Sequence, residues 1–355
     1  MTHRKFTRRE FIKTGTAATL YAAAGWPFST VNPVVSIVKI ENDKIDYAVE
    51  KAIDLLGGIG TVAKGKQRIM LKPNLVAESP AYTTKPSVIR SLARMLKSAG
   101  KDVLIGEGSA AADGFNFKDK ITYRTRKQEI LDPMQKYVFD QLGYTQLAKT
   151  LGIPLVNLHS GDLTEVKITN GLLNDKIVLH KSLTEIDMLC SVPMMKTHVL
   201  ATVTLGMKNL IGLYPGTEYY SVRSWLHDRA SEKNSPGVAF EILDMVRANK
   251  LGLTVVDGSM AMEGDGPTGG SLVKMDLIIA GTKPLATDMV AAAVMGFHPD
   301  EIPTFTWARK LGMGPADIGG IDIRGSSIES VKRQFVKPNV VHWTDINKFW
   351  GVQEI

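Results

Sequence analysis

From Val34 onward, short apolar runs alternate with stretches in which apolar residues return every three or four positions. The run Val34–Ile40 predicts a strand. Across Lys44–Leu56 the apolar positions Ile45, Ala48, Val49, Ala52, Ile53 and Leu56 follow a helical period. Arg68–Leu71 predicts a second strand, ending on Lys72-Pro73-Asn74. Pro86–Ala99 reads as a helix, with Pro86 suited to its first turn and Gly100 to its C-cap, and Asp102–Gly106 as the strand after it. Strand–helix–strand units of this kind predict an α/β fold: a mostly parallel sheet with helices on both faces.

Residues 113–136 interrupt the rhythm. They are polar and charged without clear period, and are expected to form an inserted loop or lid. Pattern returns with a helix over Tyr137–Leu151 and strands at Leu155–Leu158 and Asp187–Val192. Further on, Val238–Asn249, Pro284–Met295 and Pro303–Leu311 read as helices. Gly252–Val256 and Met275–Ala280 read as strands, and Ile321–Ile323 as a closing strand. No internal repeat or linker stands out, so one elaborated domain is expected over residues 34–330, with 331–355 as a C-terminal extension.

The first 26 residues differ in kind. A basic region is followed by about 13 weakly apolar residues and the small run Ala22-Ala23-Ala24, the three-part pattern of an export signal. Thr7-Arg8-Arg9-Glu10-Phe11-Ile12-Lys13 is similar to the bacterial twin-arginine motif. The apolar stretch is too short for the roughly 20 residues that span a bilayer, so no stable membrane anchor is expected. The expected partner is the twin-arginine translocation machinery, and the expected destination is the periplasm or the exterior. That route carries cargo already folded, often cargo loaded with a cofactor.

Composition narrows the classes. Hydrophobic residues are 44% and charged residues 22% of the 355, which suits a globular core and excludes a disordered or fibrous chain. The formal charge of +7 would favour a nucleic-acid partner were it spread over a face. Arg4, Lys5, Arg8, Arg9 and Lys13 against Glu10 hold +4 of it in the basic tail, and no nucleic-acid motif appears, so no nucleic acid is expected. The single cysteine, Cys190, excludes an intrachain disulfide and a cysteine-ligated iron–sulfur cluster. Its apolar setting reads as a packed, inert thiol.

Ligands of α/β sheets bind beyond the carboxyl ends of the strands. Four such ends run into polar or Gly/Pro-rich turns: Lys72-Pro73-Asn74; Gly106-Glu107-Gly108-Ser109; Pro193 through His198; and Asp257-Gly258 with Glu263-Gly264-Asp265-Gly266-Pro267. In a parallel sheet they share one rim. The densest stretch, Pro193–Gly216, holds Lys196, His198, Lys208 and Asn209 among small and apolar residues, where polar groups need partners or a ligand. His198 has the chemistry of an acid or base, and a partly buried lysine that of an anion binder, a base or a covalent nucleophile. The plainer reading is that Lys208-Asn209 caps a helix and His198 is structural. Asp257, Glu263 and Asp265 offer oxygen ligands to a hard cation, or serve as turn residues. His227 extends the site if its loop reaches it.

At these same residues the chain resembles the family called domain of unknown function 362. The resemblance rests on Leu71–Val76, Thr83–Pro86, Gly106-Glu107-Gly108, Val192–His198, Gly206–Gly212, Val256-Asp257-Gly258, Met262–Pro267, Ala286-Thr287-Asp288 and Met295-Gly296. Many members carry a ferredoxin-like cluster domain, which one cysteine cannot supply. A weaker similarity is to the nickel-pincer lactate racemases. His198, Lys208 and Pro215-Gly216 match their order, with the same spacing of ten between His and Lys, although Leu205-Gly206-Met207 stands where they have paired glycines. That similarity implies a catalytic base at His198 and a covalently held nickel-pincer cofactor at Lys208.

The expected function is therefore that of an exported enzyme acting on a small anionic substrate. His198, Lys208 and Lys196 are the expected catalytic residues. Lys72, Asn74, Glu107, Asn209 and His227 are expected to bind substrate or cofactor, and Asp257, Glu263 and Asp265 to hold a metal. The competing expectation is a non-catalytic protein that carries a metal or cofactor to a periplasmic enzyme.

Overall fold

The computed structural model describes residues 32–119, 121–222, 238–340 and 351–355. The expected export segment (residues 1–26), His227 and residues 341–350 of the C-terminal extension lie outside the described residues. In chain order the main elements are β1 (Val34–Lys39), α1 (Ile45–Leu55), β2 (Arg68–Pro73), α2 (Pro86–Ser98) and β3 (Asp102–Glu107). Next come β4 (Phe117–Lys118), β5 (Ile121–Arg124), α3 (Gln128–Gln141), α4 (Tyr144–Leu151) and β6 (Leu155–Asn157). The middle of the chain supplies β7 (Leu163–Lys167), β8 (Lys176–His180), β9 (Met188–Val192), β10 (Met194–His198), β11 (Thr202–Thr204) and the short helix α5 (Gly206–Asn209). The last part supplies α6 (Val238–Ala248), β12 (Leu251–Glu263), β13 (Ser271–Val273), β14 (Leu277–Gly281), α7 (Pro284–Val294), α8 (Pro303–Lys310), β15 (Asp322–Gly325) and β16 (Gly351–Glu354).

The main sheet runs β15-β1-β14-β12-β9-β2-β3-β6. On this path β14 alone is antiparallel to its neighbours, and every other strand points the same way. The α/β reading holds, as a mostly parallel mixed sheet. Side chains alternate between its two faces, as the pleat requires. Ile69, Leu71, Val103, Ile105, Cys190 and Val255 join one apolar core, with α1, α2 and α3. Met70, Leu104, Leu189, Val256 and Ile279 join the other, with α6, α7 and α8. Strands buried on both faces read as continuous apolar runs, which is why their sequences carry no polar alternation.

Residues 113–136 are more ordered than a loop. They hold the hairpin β4–β5 and the first half of α3, whose Leu131, Met134 and Val138 are buried. Exposed charges between these positions hide the period, and Pro133 inside the helix argues against it locally. The expected helix Tyr137–Leu151 is two helices, broken where Gly143 adopts a positive φ of 77°. The strand expected at Gly252–Val256 is thirteen residues long and overshoots the main sheet, where its far half pairs with β10 and β13. That overshoot builds the wall of the site.

Candidate functional site

The parallel arrangement brings the ends of β2, β3 and β9 to one rim, with α5 laid across them. Lys72 ends β2 and is wholly buried. Its ammonium donates to both oxygens of Glu107, at the end of β3, at 2.8 Å each. It also donates to the Asn209 side-chain oxygen at 3.1 Å and to the Pro73 carbonyl at 3.0 Å. Glu107 accepts in addition from the backbone amides of Leu75 and Gly108. Asn209 donates through its amide nitrogen to the Lys72 carbonyl and to Ser191 on β9. A buried ion pair needs its remaining hydrogen-bonding capacity met, and this one meets it from β2, β3 and α5 together.

The backbone of the turn after α5 presses on this pair. A Cβ on Gly212 would lie 2.5 Å from Glu107 Oε1 and 2.8 Å from Lys72 Nζ, so the position has no room for a side chain. Gly206 is equally constrained, by Thr254 and Asp288. Asp288, in the first turns of α7, accepts from the amides of Gly206 and Met207 at 2.8 Å each and so fixes the start of α5. Burial raises the Asp288 carboxyl to about 7 despite these two donors.

β10 carries Lys196 and His198 on one side of the strand, two residues apart. Lys196 is wholly buried and donates to the carbonyls of Tyr82, at 2.8 Å, and Pro267, at 3.3 Å. Burial lowers it to about 7; the charges of Lys208 and Lys72 push the same way, and Glu107 opposes them. His198 accepts from the Leu200 amide through Nδ1 at 3.0 Å. In the neutral ring the proton then sits on Nε2. Lys208, half-buried on α5, completes the set.

These groups line a cavity of about 160 Å³, together with Asn74, Thr204 and Pro267. Among the described residues, the hydroxyl of Thr204, on a residue 3% exposed, has no hydrogen-bond partner, nor has the buried side-chain oxygen of Asn74. Buried polar atoms left in this state mark a place where a ligand or water belongs. Three lysines, Lys72, Lys196 and Lys208, are therefore among the lining residues, with Glu107 as the carboxylate.

Of the expected residues, the structure gathers Lys72, Asn74, Glu107, Lys196, His198, Lys208 and Asn209 at one cavity. It does not gather the three acids. Asp257 accepts from the Lys85 amide and from Ser259. Glu263 accepts from the Val336 amide, and Asp265 from Asn339. Among the described residues no group of three or more His, Cys, Asp or Glu side chains is placed to hold a metal ion. The cavity offers one imidazole, one carboxylate already held by Lys72, and neutral amide and hydroxyl oxygens beside three lysines, a poor set for a bare cation. These residues do not fit a resident metal ion, nickel included. Sequence reasoning missed Thr204 and Tyr82, which carry no motif. In the sequence Asp288 stands out only within Ala286-Thr287-Asp288, and its task is on α5.

The model of the family described as domain of unknown function (DUF362) matches residues 69–293. A thylakoid-associated protein of Synechocystis sp. is 27% identical over 266 residues, which cover 74% of each chain. Among solved structures, the lactate racemase apoprotein of Thermoanaerobacterium thermosaccharolyticum is 16% identical, with a TM-score of 0.44, over 76% of this chain and 59% of its own. A protein of Thermotoga maritima is 14% identical, with a TM-score of 0.37, over 69% of this chain and 56% of its own.

Proposed function

The chain belongs to the DUF362 family, and from that premise we propose that its rim cavity binds a small anionic substrate on which His198 moves a proton. The observation that carries this reading is the charge of the lining: Lys72, Lys196 and Lys208 against Glu107. Lys72 is paired with Glu107, and Lys196 and Lys208 add further positive charge to the lining. A cavity of about 150 Å³ accommodates a benzene-sized molecule, so about 160 Å³ suits a small carboxylate or phosphate. Asn74 and Thr204 orient it through hydrogen bonds they otherwise lack. His198, held through Nδ1, presents Nε2 as the proton-carrying atom.

Isothermal titration with inorganic phosphate, acetate and malonate tests the binding. At least one should bind the wild-type chain and bind Lys208→Met about tenfold more weakly, a loss of about 1.4 kcal/mol. Equal affinity for both proteins in every case removes the proposal. Binding that survives in His198→Ala while no substrate is converted by either protein favours a carrier over an enzyme. Intact mass of the protein purified from its own host reads whether Lys208 holds a covalent adduct, as the nickel-pincer resemblance implies; an unmodified mass removes that version.

Residues 1–26 are proposed to direct export by the twin-arginine route. A folded reporter fused behind them should reach the periplasm, and Arg8→Lys with Arg9→Lys should hold it in the cytoplasm. Unchanged export of the doubly substituted fusion overturns this.

A further inference from the structure

We propose that Lys196 forms a Schiff base with a small carboxylate that bears a ketone or aldehyde, the class of the 2-oxo and 3-oxo acids. The inference rests on the small-anion reading and adds a covalent step to it. Its ground is the placement of the amine. Lys196 is one of the residues lining the cavity, its side chain is wholly buried, and its Nζ is held by two backbone carbonyls. A neutral amine has two N–H groups and one lone pair. The carbonyls of Tyr82 and Pro267 take both N–H groups, which leaves the lone pair for an electrophile.

The other two lysines are placed for different work. Lys72 is clamped by both oxygens of Glu107, by Asn209 and by Pro73, so its lone pair is not offered. Lys208 stands close enough for its charge to be felt at Lys196, and its ammonium suits the carboxylate end of the same substrate. Burial and these neighbouring cations hold Lys196 near 7, so that about half of it is neutral in that range. An amine so disposed is nucleophilic where an ordinary lysine is not.

The step balances without an oxidant or metal. The Nζ lone pair forms a bond to the carbonyl carbon, the carbonyl π pair moves to oxygen, and one of the two nitrogen protons passes to that oxygen to give the neutral carbinolamine. The hydroxyl then takes a second proton and leaves as water, the nitrogen lone pair forms the C=N bond, and the nitrogen's remaining proton replaces the one the acid gave. His198, two residues along the same strand, is the acid that can deliver the proton to the departing oxygen. Nothing is oxidised or reduced, and one water leaves for each substrate bound.

The test uses the full chain, pyruvate as probe and propionate as its carbonyl-free match. Sodium cyanoborohydride reduces any imine to a stable amine. The expected result is one reduced pyruvyl group per chain by intact mass, mapped to Lys196 by peptide sequencing, and suppressed by excess propionate. Trapping should be half-maximal near pH 7, not near the ordinary lysine value of about 10.4. Lys196→Arg, checked for folding by circular dichroism, should trap none. If titration shows that pyruvate binds but no adduct forms, or adducts scatter over surface lysines, the Schiff base is overturned while the anion site stands. If neither pyruvate nor propionate binds, the anion reading itself fails.

Discussion

Removing one member of the Lys72–Glu107 pair should cost far more than removing both. The two side chains are 0% and 2% exposed. In Glu107→Gln, the Lys72 ammonium keeps Asn209 and Pro73 but loses its counter-charge in a dry site. Stranding a buried charge in this way costs about 3–5 kcal/mol. Lys72→Met strands the carboxylate instead, although the amides of Leu75 and Gly108 still reach it, so its cost should lie at the lower end. The double variant Lys72→Met with Glu107→Leu buries no charge and should recover to within about 2 kcal/mol of wild type. Urea unfolding followed by tryptophan fluorescence measures all four proteins. With a slope of about 2–3 kcal/mol per molar, the single variants should shift the midpoint by about 1–2 M. Single losses under about 1 kcal/mol, or a double loss equal to their sum, would refute the view that these charges depend on each other.

Three other outcomes follow from the same geometry. Gly212→Ala should destabilise by about 1–3 kcal/mol, because its Cβ meets two side chains that are already fixed; an unchanged thermal midpoint would show that the pair yields freely. Asp288 is raised to about 7, so the folded chain holds more protons there than the unfolded chain between about 4 and 7. Its contribution is present at low pH and is lost as pH climbs through 7; the stability difference between wild type and Asp288→Asn should shrink over that window, and parallel pH profiles would contradict it. Lys196 has the opposite sign. Lowered to about 7, it contributes stability that is present at high pH and is lost as pH falls through 7. Denaturation of wild type and Lys196→Met at pH 7 and pH 9.5 should show wild type gaining on the variant at the higher pH.

Much of this architecture is legible in the apolar runs. Strands such as Leu71 with its neighbours, or Met188–Val192, are buried on both faces, and that leaves a continuous hydrophobic signature. Once the strands are taken as parallel, the meeting of Lys72, Glu107, Lys196 and Lys208 follows from topology. Other features have no local sign. β10 and β11 form a small ladder beyond Pro193 whose residues, Met-Met-Lys-Thr-His and Thr-Val-Thr, show no clean alternation because both sides are covered. The task of Asp288 depends on α5, some 80 residues earlier. The acids at 257, 263 and 265 look like a ligand set when listed by spacing, yet backbone and side-chain amides from three separate segments consume them. Spacing records which groups are near in the chain; it does not record which amides will compete for them.

β1 is paired on one side with β14, at residues 277–281, and on the other with β15, at residues 322–325. It is the first of the described strands, and both of its partners come late in the chain. Until they are made it is an unpaired edge lying directly behind the segment proposed to direct export. Closing the sheet over more than 280 residues is a slow, non-local event. A truncated or stalled product would present that open edge beside the segment proposed to direct export.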